Sequence, residues 1–199
     1  TSWTHRKSGD PTKESELDKV RLPHALGVIV SGARDMTPQN ADARTILTTF
    51  TVRSFLRDAE ELLRHRHQPL YLVAEILDSE NVNHAFAAGA DEVIETRKIG
   101  YSMIAHAVRY HGTATTMSRF LTSGAENVYV GRIPPDLAPG PVPYKQLLRT
   151  MELSRQGGLV IGVRTPAGEE VINPAPDLSI APGTLLIYLA ESALLEPPA

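Results

Sequence analysis

The chain has 199 residues, 42% hydrophobic and 22% charged, enough for one large domain or two small ones with a sizeable core. Its 20 basic and 23 acidic residues leave a formal net charge of −3, which argues against a dedicated nucleic-acid binder. There is no cysteine, which excludes disulfides, thiolate metal sites and cysteine nucleophiles and is compatible with a cytosolic protein.

Lys13–Val20 carries mixed charges and reads as a short helix, with Thr12 as its N-cap. Ala25–Val30 is a short apolar run ending in Ser31-Gly32, the pattern of a buried parallel strand. Met36–Asn40, with Pro38, reads as a loop. Ala41–His67 reads as a helix, since Ile46, Leu47, Phe50, Phe55, Leu62 and Leu63 recur at near-helical spacing. Pro69–Ile76 is a second strand, Asp78 or Ser79 caps a helix that runs to Ala88 and stops at Gly89, and Asp91–Ile94 is a third strand. Such alternation predicts an α/β fold with a parallel sheet covered on both faces.

Thr96–His111 is a long helix whose apolar residues spread over more than one face, and Thr113–Leu121 adds a further helical turn or two. After a strand at Glu126–Arg132, the segment 133–143 holds five prolines and reads as a loop. The remainder is a short helix (Tyr144–Leu153) and strands at Gly158–Arg164, Glu170–Asn173 and Thr184–Ala190, joined by turns. It predicts a small α+β module after a boundary near residue 125. The longest stretch without an ionised side chain, Leu178–Ala190, has 13 residues and contains Pro182 and Gly183, whereas a spanning helix needs roughly 20 apolar residues. The N-terminus lacks the apolar run of a signal peptide.

Chemistry-bearing motifs are sparse. His65 and His67 are two apart and His106 and His111 five apart, neither the i, i+4 spacing that puts two imidazoles on one helical face. G-x-S-x-G and H-E-x-x-H are absent, and the pairs Asp91-Glu92 and Glu169-Glu170 are sequence neighbours that point to opposite faces of a strand. The expectation is a protein that is not an enzyme.

Several segments, in order, resemble one family. They are Ser8-Gly9-Asp10-Pro11-Thr12; Ala25–Val30 with Ala41-Asp42-Ala43-Arg44; Val73-Ala74-Glu75 with Asp78-Ser79-Glu80-Asn81; and Ala87-Ala88-Gly89-Ala90-Asp91-Glu92-Val93-Ile94. Val160-Ile161-Gly162-Val163, Asn173-Pro174 and Ile180–Ile187 follow. Together they resemble the RCK or TrkA domains, which regulate potassium conductance. The Ala41–Arg44 and Val52-Arg53-Ser54 segments look closest to channel versions, including the CASTOR/POLLUX-like ion channels.

The resemblance implies a Rossmann-like lobe (1–95), crossover helices (96–125) through which two domains form a dimer, and a small C-terminal subdomain (126–199). One departure from the family is large. The first strands and the glycine-rich turn are absent, and Trp3–Lys7 leads straight into Gly9-Asp10 as though at the family's third strand. With no initiator Met, the chain is expected to be part of a longer polypeptide.

By resemblance, Gly9, Asp10, Ser31 and Gly32 would line an adenine nucleotide of the NAD or ATP class; the alternative is that Gly9-Asp10-Pro11 is a turn and helix cap. The calcium-gated members place acidic residues where Asp42 and Glu75 fall, so these two are the candidate Ca2+ ligands. The carboxylate expected two residues after Glu75 is Leu77 here, with Asp35 and Asp78 as substitutes. The alternative is a capping Asp42 and a solvated Glu75. For helix 96–111 the alternative to a dimer contact is an internal core helix.

The function implied is a ligand-sensing gating domain of a potassium channel at the cytoplasmic face of the cell membrane. It would assemble with itself, as a dimer or up to an octameric gating ring. It would also act on a pore-forming segment in cis or in trans. Two alternatives are a peripheral nucleotide-binding subunit of a potassium transporter and a fragment of an NAD-dependent oxidoreductase.

Overall fold

The computed structural model describes residues 6–59, 69–122, 126–138, 140–151 and 153–198. The chain divides into two compact units, Thr1–Ala105 and His106–Ala199, the division falling inside a helix.

In the first unit, three parallel strands form a sheet in the order β1 (Gly27–Val30), β2 (Tyr71–Ile76), β3 (Glu92–Glu95). Helix α1 (Glu14–Leu17) precedes them and runs on into a 3-10 turn at Asp18–Val20. Long helix α2 (Pro38–Asp58) links β1 to β2, and short helix α3 (Val82–Ala87) links β2 to β3. Leu72, Ala74 and Ile76 alternate along the central strand, are fully buried, and share a core with Val52 and Leu56 of α2. Burial of side chains of this size stabilises the fold by about 1.5–3 kcal/mol each.

The parallel α/β sheet followed by a small α+β module is the fold class the sequence predicts. Three local expectations are corrected. Pro38–Asn40 is the first turn of α2 and not a loop: proline fits the start of a helix, and the Thr37 hydroxyl caps it by accepting from the Asn40 N–H at 3.4 Å. Thr12 does not cap α1; its hydroxyl donates to Asp10 at 2.8 Å, and Lys13 stands at the N-cap. The inward face of α2 carries Ala41, Asp42, Thr45, Thr48, Thr49, Val52 and Leu56, whereas Leu47 and Phe50 are exposed. Of the apolar residues that set the predicted periodicity, Ile46 and Phe55 pack against the edge of the core, and Leu47 and Phe50 lie outside it. The part of the predicted helix at 60–67, with His65 and His67, lies outside the described residues, as do Trp3–His5.

Arg53 of α2 ties the opposite end of the sheet. Its Nε donates to the Gly89 carbonyl at 2.6 Å, its guanidinium reaches the Leu70 carbonyl at 3.2 Å, and it pairs with Asp91. Gly89 ends α3 with φ at +104°, and a Cβ there would collide with Arg53.

Helix α4 (Thr96–Arg109) follows β3 and contains no buried residue, so it is not an internal core helix within these residues. Helix α5 (Thr113–Thr122) and strand β4 (Asn127–Arg132) come next.

The second unit is built on an antiparallel sheet in the order β4, β9 (Leu185–Ala190), β6 (Leu159–Arg164), β7 (Glu170–Ile172). A short pair, β5 (Val142–Pro143) with β8 (Ser179–Ile180), lies within stretches read as loop from their prolines. Helix α6 (Tyr144–Met151) buries Tyr144, Leu147 and Met151, an i, i+3, i+7 stripe, in one core with Leu186 and Tyr188. A Cβ on Gly162 would lie 2.6 Å from the Val171 carbonyl oxygen, so the close pairing of β6 with β7 requires glycine.

Candidate functional site

In a parallel sheet the loops after the strands gather at the carboxyl edge, and ligands bind there. In this chain the edge carries two buried carboxylates, Asp42 and Glu75.

Glu75 is the next-to-last residue of the central strand, so it can reach the loops that follow both neighbours. Its Oε2 accepts the Gly32 N–H at 2.8 Å, from the turn after β1. Its Oε1 accepts the Thr96 hydroxyl at 2.7 Å, from the first residue of α4, and the Arg34 guanidinium at 3.2 Å. Gly32 is buried, with its Cβ position 3.5 Å from Glu75 Oε2. Asp42, in the second turn of α2, accepts the Leu77 N–H at 2.8 Å, the Asp78 N–H at 3.0 Å and the Asn81 side-chain amide at 2.9 Å. It pins the turn after β2 to α2. Asp78 in turn caps the 3-10 turn Ser79–Asn81 by accepting the Glu80 N–H at 3.1 Å.

Calcium takes six to eight oxygen ligands. Every carboxylate oxygen of Asp42 and Glu75 is engaged by a protein donor, and the described residues contain no group of three or more acidic, histidine or cysteine side chains able to hold a metal. The residue pair proposed for Ca2+ does not fit the ion in this arrangement. Asp35 is exposed and has no part in the network around either carboxylate.

Beside this edge lies a cleft of about 630 Å³ between β1, α1 and α2. Its floor is apolar, with Leu17, Leu22 and Val28; Ser31, Arg44, Thr45 and Thr48 supply polar groups. Arg44 is exposed and has no acidic partner within ion-pair distance among the described residues. Among the described residues β1 is an edge strand with no strand beyond it, and Leu26 (88%) and Ile29 (80%) are largely exposed.

Of the four nucleotide candidates, Ser31 lines this cleft and Gly32, next to it, faces Glu75. Gly9 and Asp10 do not line it. Asp10 accepts the Thr12 N–H at 3.1 Å and the Thr12 hydroxyl, which hold its carboxyl below the ordinary carboxylate range. A Cβ on Gly9 would meet the Glu16 carboxylate. Two residues of the site escaped sequence reasoning. Thr96 was taken only as a helix start. Arg44 stood in the Ala41–Arg44 segment, but a lone arginine carries no signal until the fold turns it towards a cleft.

Comparison with known proteins places this geometry in context. No family model matches the chain. It is 30% identical over 107 residues to the calcium-gated potassium channel TvoK of Thermoplasma volcanium, an alignment that covers 52% of this chain and 28% of that protein. The structure of the human SLO3 gating ring aligns over 94% of this chain and 36% of that one, with a TM-score of 0.65 and 17% identity. The GsuK RCK domain aligns over 92% of this chain and 34% of that one, with a TM-score of 0.38 and 24% identity. The chain therefore spans about a third or less of the length of the proteins it matches. Its fold is that of the aligned third of the SLO3 gating-ring chain.

Proposed function

We propose that the chain is a ligand-sensing regulatory domain of a potassium channel, acting by binding and not by making or breaking bonds. The observation that carries this reading is the 30% identity to a calcium-gated potassium channel over 107 residues, on a gating-ring fold. Among the described residues no helix is long and apolar enough to cross a membrane, so the pore would lie outside them. A place at the cytoplasmic face of the membrane follows from the same reading.

The ligand we propose is an adenine nucleotide held in the cleft at the carboxyl end of β1. Its base would rest on the apolar floor and its phosphate on Arg44, with Ser31 as a hydrogen-bonding partner. This chain's own part in signalling is the path through Glu75, which joins the Gly32 turn at the cleft to Thr96 at the start of α4. A ligand that contacts the Ser31-Gly32 turn differently in two arrangements shifts their populations, and α4 reports the shift.

The apolar stripe of α4 supports a second copy as partner. Tyr101, Ile104 (64%) and Val108 (75%) lie at i, i+3, i+7 and are exposed. An exposed stripe of that kind on a helix is a protein contact awaiting its partner. The reading is tested by calorimetric titration of the purified chain with ATP, NAD and calcium chloride. Saturable heat with an adenine nucleotide supports it; silence with all three overturns it.

A further inference from the structure

The second unit has a cavity of its own, lined by residues of that unit alone. It measures about 570 Å³ and opens where β4 and β6 end and β9 begins. The strand register places its charges. Arg132 of β4 and Arg164 of β6 both stand directly opposite Leu185 of β9, and Glu170 of β7 stands opposite Arg164. Directly opposed residues in an antiparallel sheet project from the same face, so these four form one row across it. Strands are about 4.8 Å apart, so the two arginines leave the sheet roughly 10 Å from one another, on either side of Leu185.

The two arginines differ in their partners. Arg164 gives both Nε and Nη2 to Glu170 Oε1, at 2.9 and 2.6 Å, so its charge is compensated. Arg132 has no acidic partner within ion-pair distance among the described residues, although its backbone is fixed by an N–H bond to the Glu196 carbonyl at 2.8 Å. Thr184 also lines the cavity. It is 5% exposed as a residue, and its hydroxyl, which makes no hydrogen bond to a described residue, is not among the enclosed unpaired groups, so solvent reaches it at the cavity. Ile133, Pro135, Pro166, Pro182 and Leu185 give the wall an apolar, largely rigid surface, and Thr165 and Gly168 also line it.

We propose that this cavity binds a small amphipathic anion, an oxyanion carried on an apolar or aromatic body. The oxyanion sits on the Arg132 guanidinium and accepts from the Thr184 hydroxyl, and the body packs against Ile133, Leu185 and the prolines. An exposed guanidinium without an acidic partner, with a hydroxyl donor on the same wall, is an arrangement that can hold a carboxylate or phosphate. Rigid proline walls reduce the ordering cost of binding. The inference does not depend on the reading of the first unit.

The test is nuclear magnetic resonance of the full chain titrated separately with benzoate, phenyl phosphate, phenol and inorganic phosphate. Benzoate or phenyl phosphate is expected to shift the amides of Arg132, Ile133, Arg164, Gly183 and Thr184 saturably. Which of the two binds more tightly tells a carboxylate ligand from a phosphate one. Phenol and inorganic phosphate, each lacking half of the chemistry, are expected to bind at least about tenfold more weakly, as loss of one charge-assisted contact implies. Arg132→Gln is expected to remove the preference for the aryl anion over phenol while the spectrum stays that of a folded protein. Thr184→Val, which keeps the shape, is expected to weaken the aryl anions and leave phenol unchanged. Equal binding of phenol and the aryl anions, an unchanged anion affinity in Arg132→Gln, or shifts confined to residues away from this cavity would each overturn the proposal.

Discussion

The Thr96 hydroxyl donates to Glu75 Oε1 at 2.7 Å, fastening the first residue of α4 to the end of the central strand. The same carboxylate holds the turn beside the cleft through the Gly32 N–H. A buried carboxylate with donors on both sides is a rigid link, because an unpaired charge there would be costly. Replacing Glu75 by Gln removes the charge and one strong acceptor. Glu75→Gln is expected to destabilise the first unit by about 2 kcal/mol, the size of a charged hydrogen bond. Amide exchange at Gly32 should accelerate. Chemical denaturation and hydrogen exchange measure the two effects.

Asp42 has a heavier structural task. It is fully buried and satisfies three donors of the turn after β2. Asp42→Ala leaves those donors without a partner, at a cost of about 3 kcal/mol or more. Calcium should give wild-type protein no comparable gain in melting temperature. A large calcium-dependent rise in melting temperature that Asp42→Ala abolishes would show that the ion displaces these donors.

Thr49 is the opposite case. It is buried on the inner face of α2, and its hydroxyl has no hydrogen-bond partner among the described residues. Thr49→Val keeps the shape and the β-branching and removes the unpaired group. The expected result is a gain of about 1 kcal/mol in denaturant unfolding.

In the second unit, the Tyr188 hydroxyl accepts the N–H groups of Leu194 and Leu195 at 2.9 and 3.0 Å, and its ring stacks on Tyr129 with centroids 5.6 Å apart. Tyr188→Phe keeps the stack and frees the tail after β9. A loss of about 1–3 kcal/mol is expected, with faster amide exchange at Leu194 and Leu195.

Titration should separate several groups. The Thr12 hydroxyl and N–H lower the carboxyl of Asp10, and Ser79 and Lys98 lower that of Glu95. A carboxyl lowered in the folded state binds fewer protons there than when unfolded. Its stabilising contribution is therefore present above the ordinary values of 3.8 and 4.5 and is lost as pH falls through the lowered ones. Tyr144 is shifted the other way, since burial raises its phenol above 10.0. Its contribution is present below that value and is lost as pH rises through the raised one. Arg97 lowers Tyr101, so spectrophotometric titration should find Tyr101 ionising before Tyr144.

The order of elements is legible in the sequence because strand runs such as Val28–Val30 are apolar on both faces and are punctuated by Gly32, Gly89 and prolines. The inward face of α2 is less so. Its core side mixes threonines with Ala41, Val52 and Leu56, while Ile46 and Phe55 only flank the core and Leu47 and Phe50 face outwards, so apolar periodicity marks the inward face incompletely. The pairing of β5 with β8 involves two residues on each side, too few for any alternation to show. At the site, Asp42 and Glu75 were found as acidic residues near strand ends. Their partners, Gly32, Thr96, Leu77 and Asn81, are backbone groups or small polar side chains brought close only by the fold. Sequence spacing could not distinguish a carboxylate that holds a turn from one that holds an ion.

The measurement that bears most directly on the regulatory reading is deuterium exchange along the chain with and without a saturating adenine nucleotide, in wild-type protein and in Glu75→Gln. The account predicts slower exchange at Ser31-Gly32 in both proteins, and altered exchange at the start of α4, from Thr96, in the wild type alone. Protection of the cleft with no change in α4 of the wild type, or the same α4 response in Glu75→Gln, would contradict it.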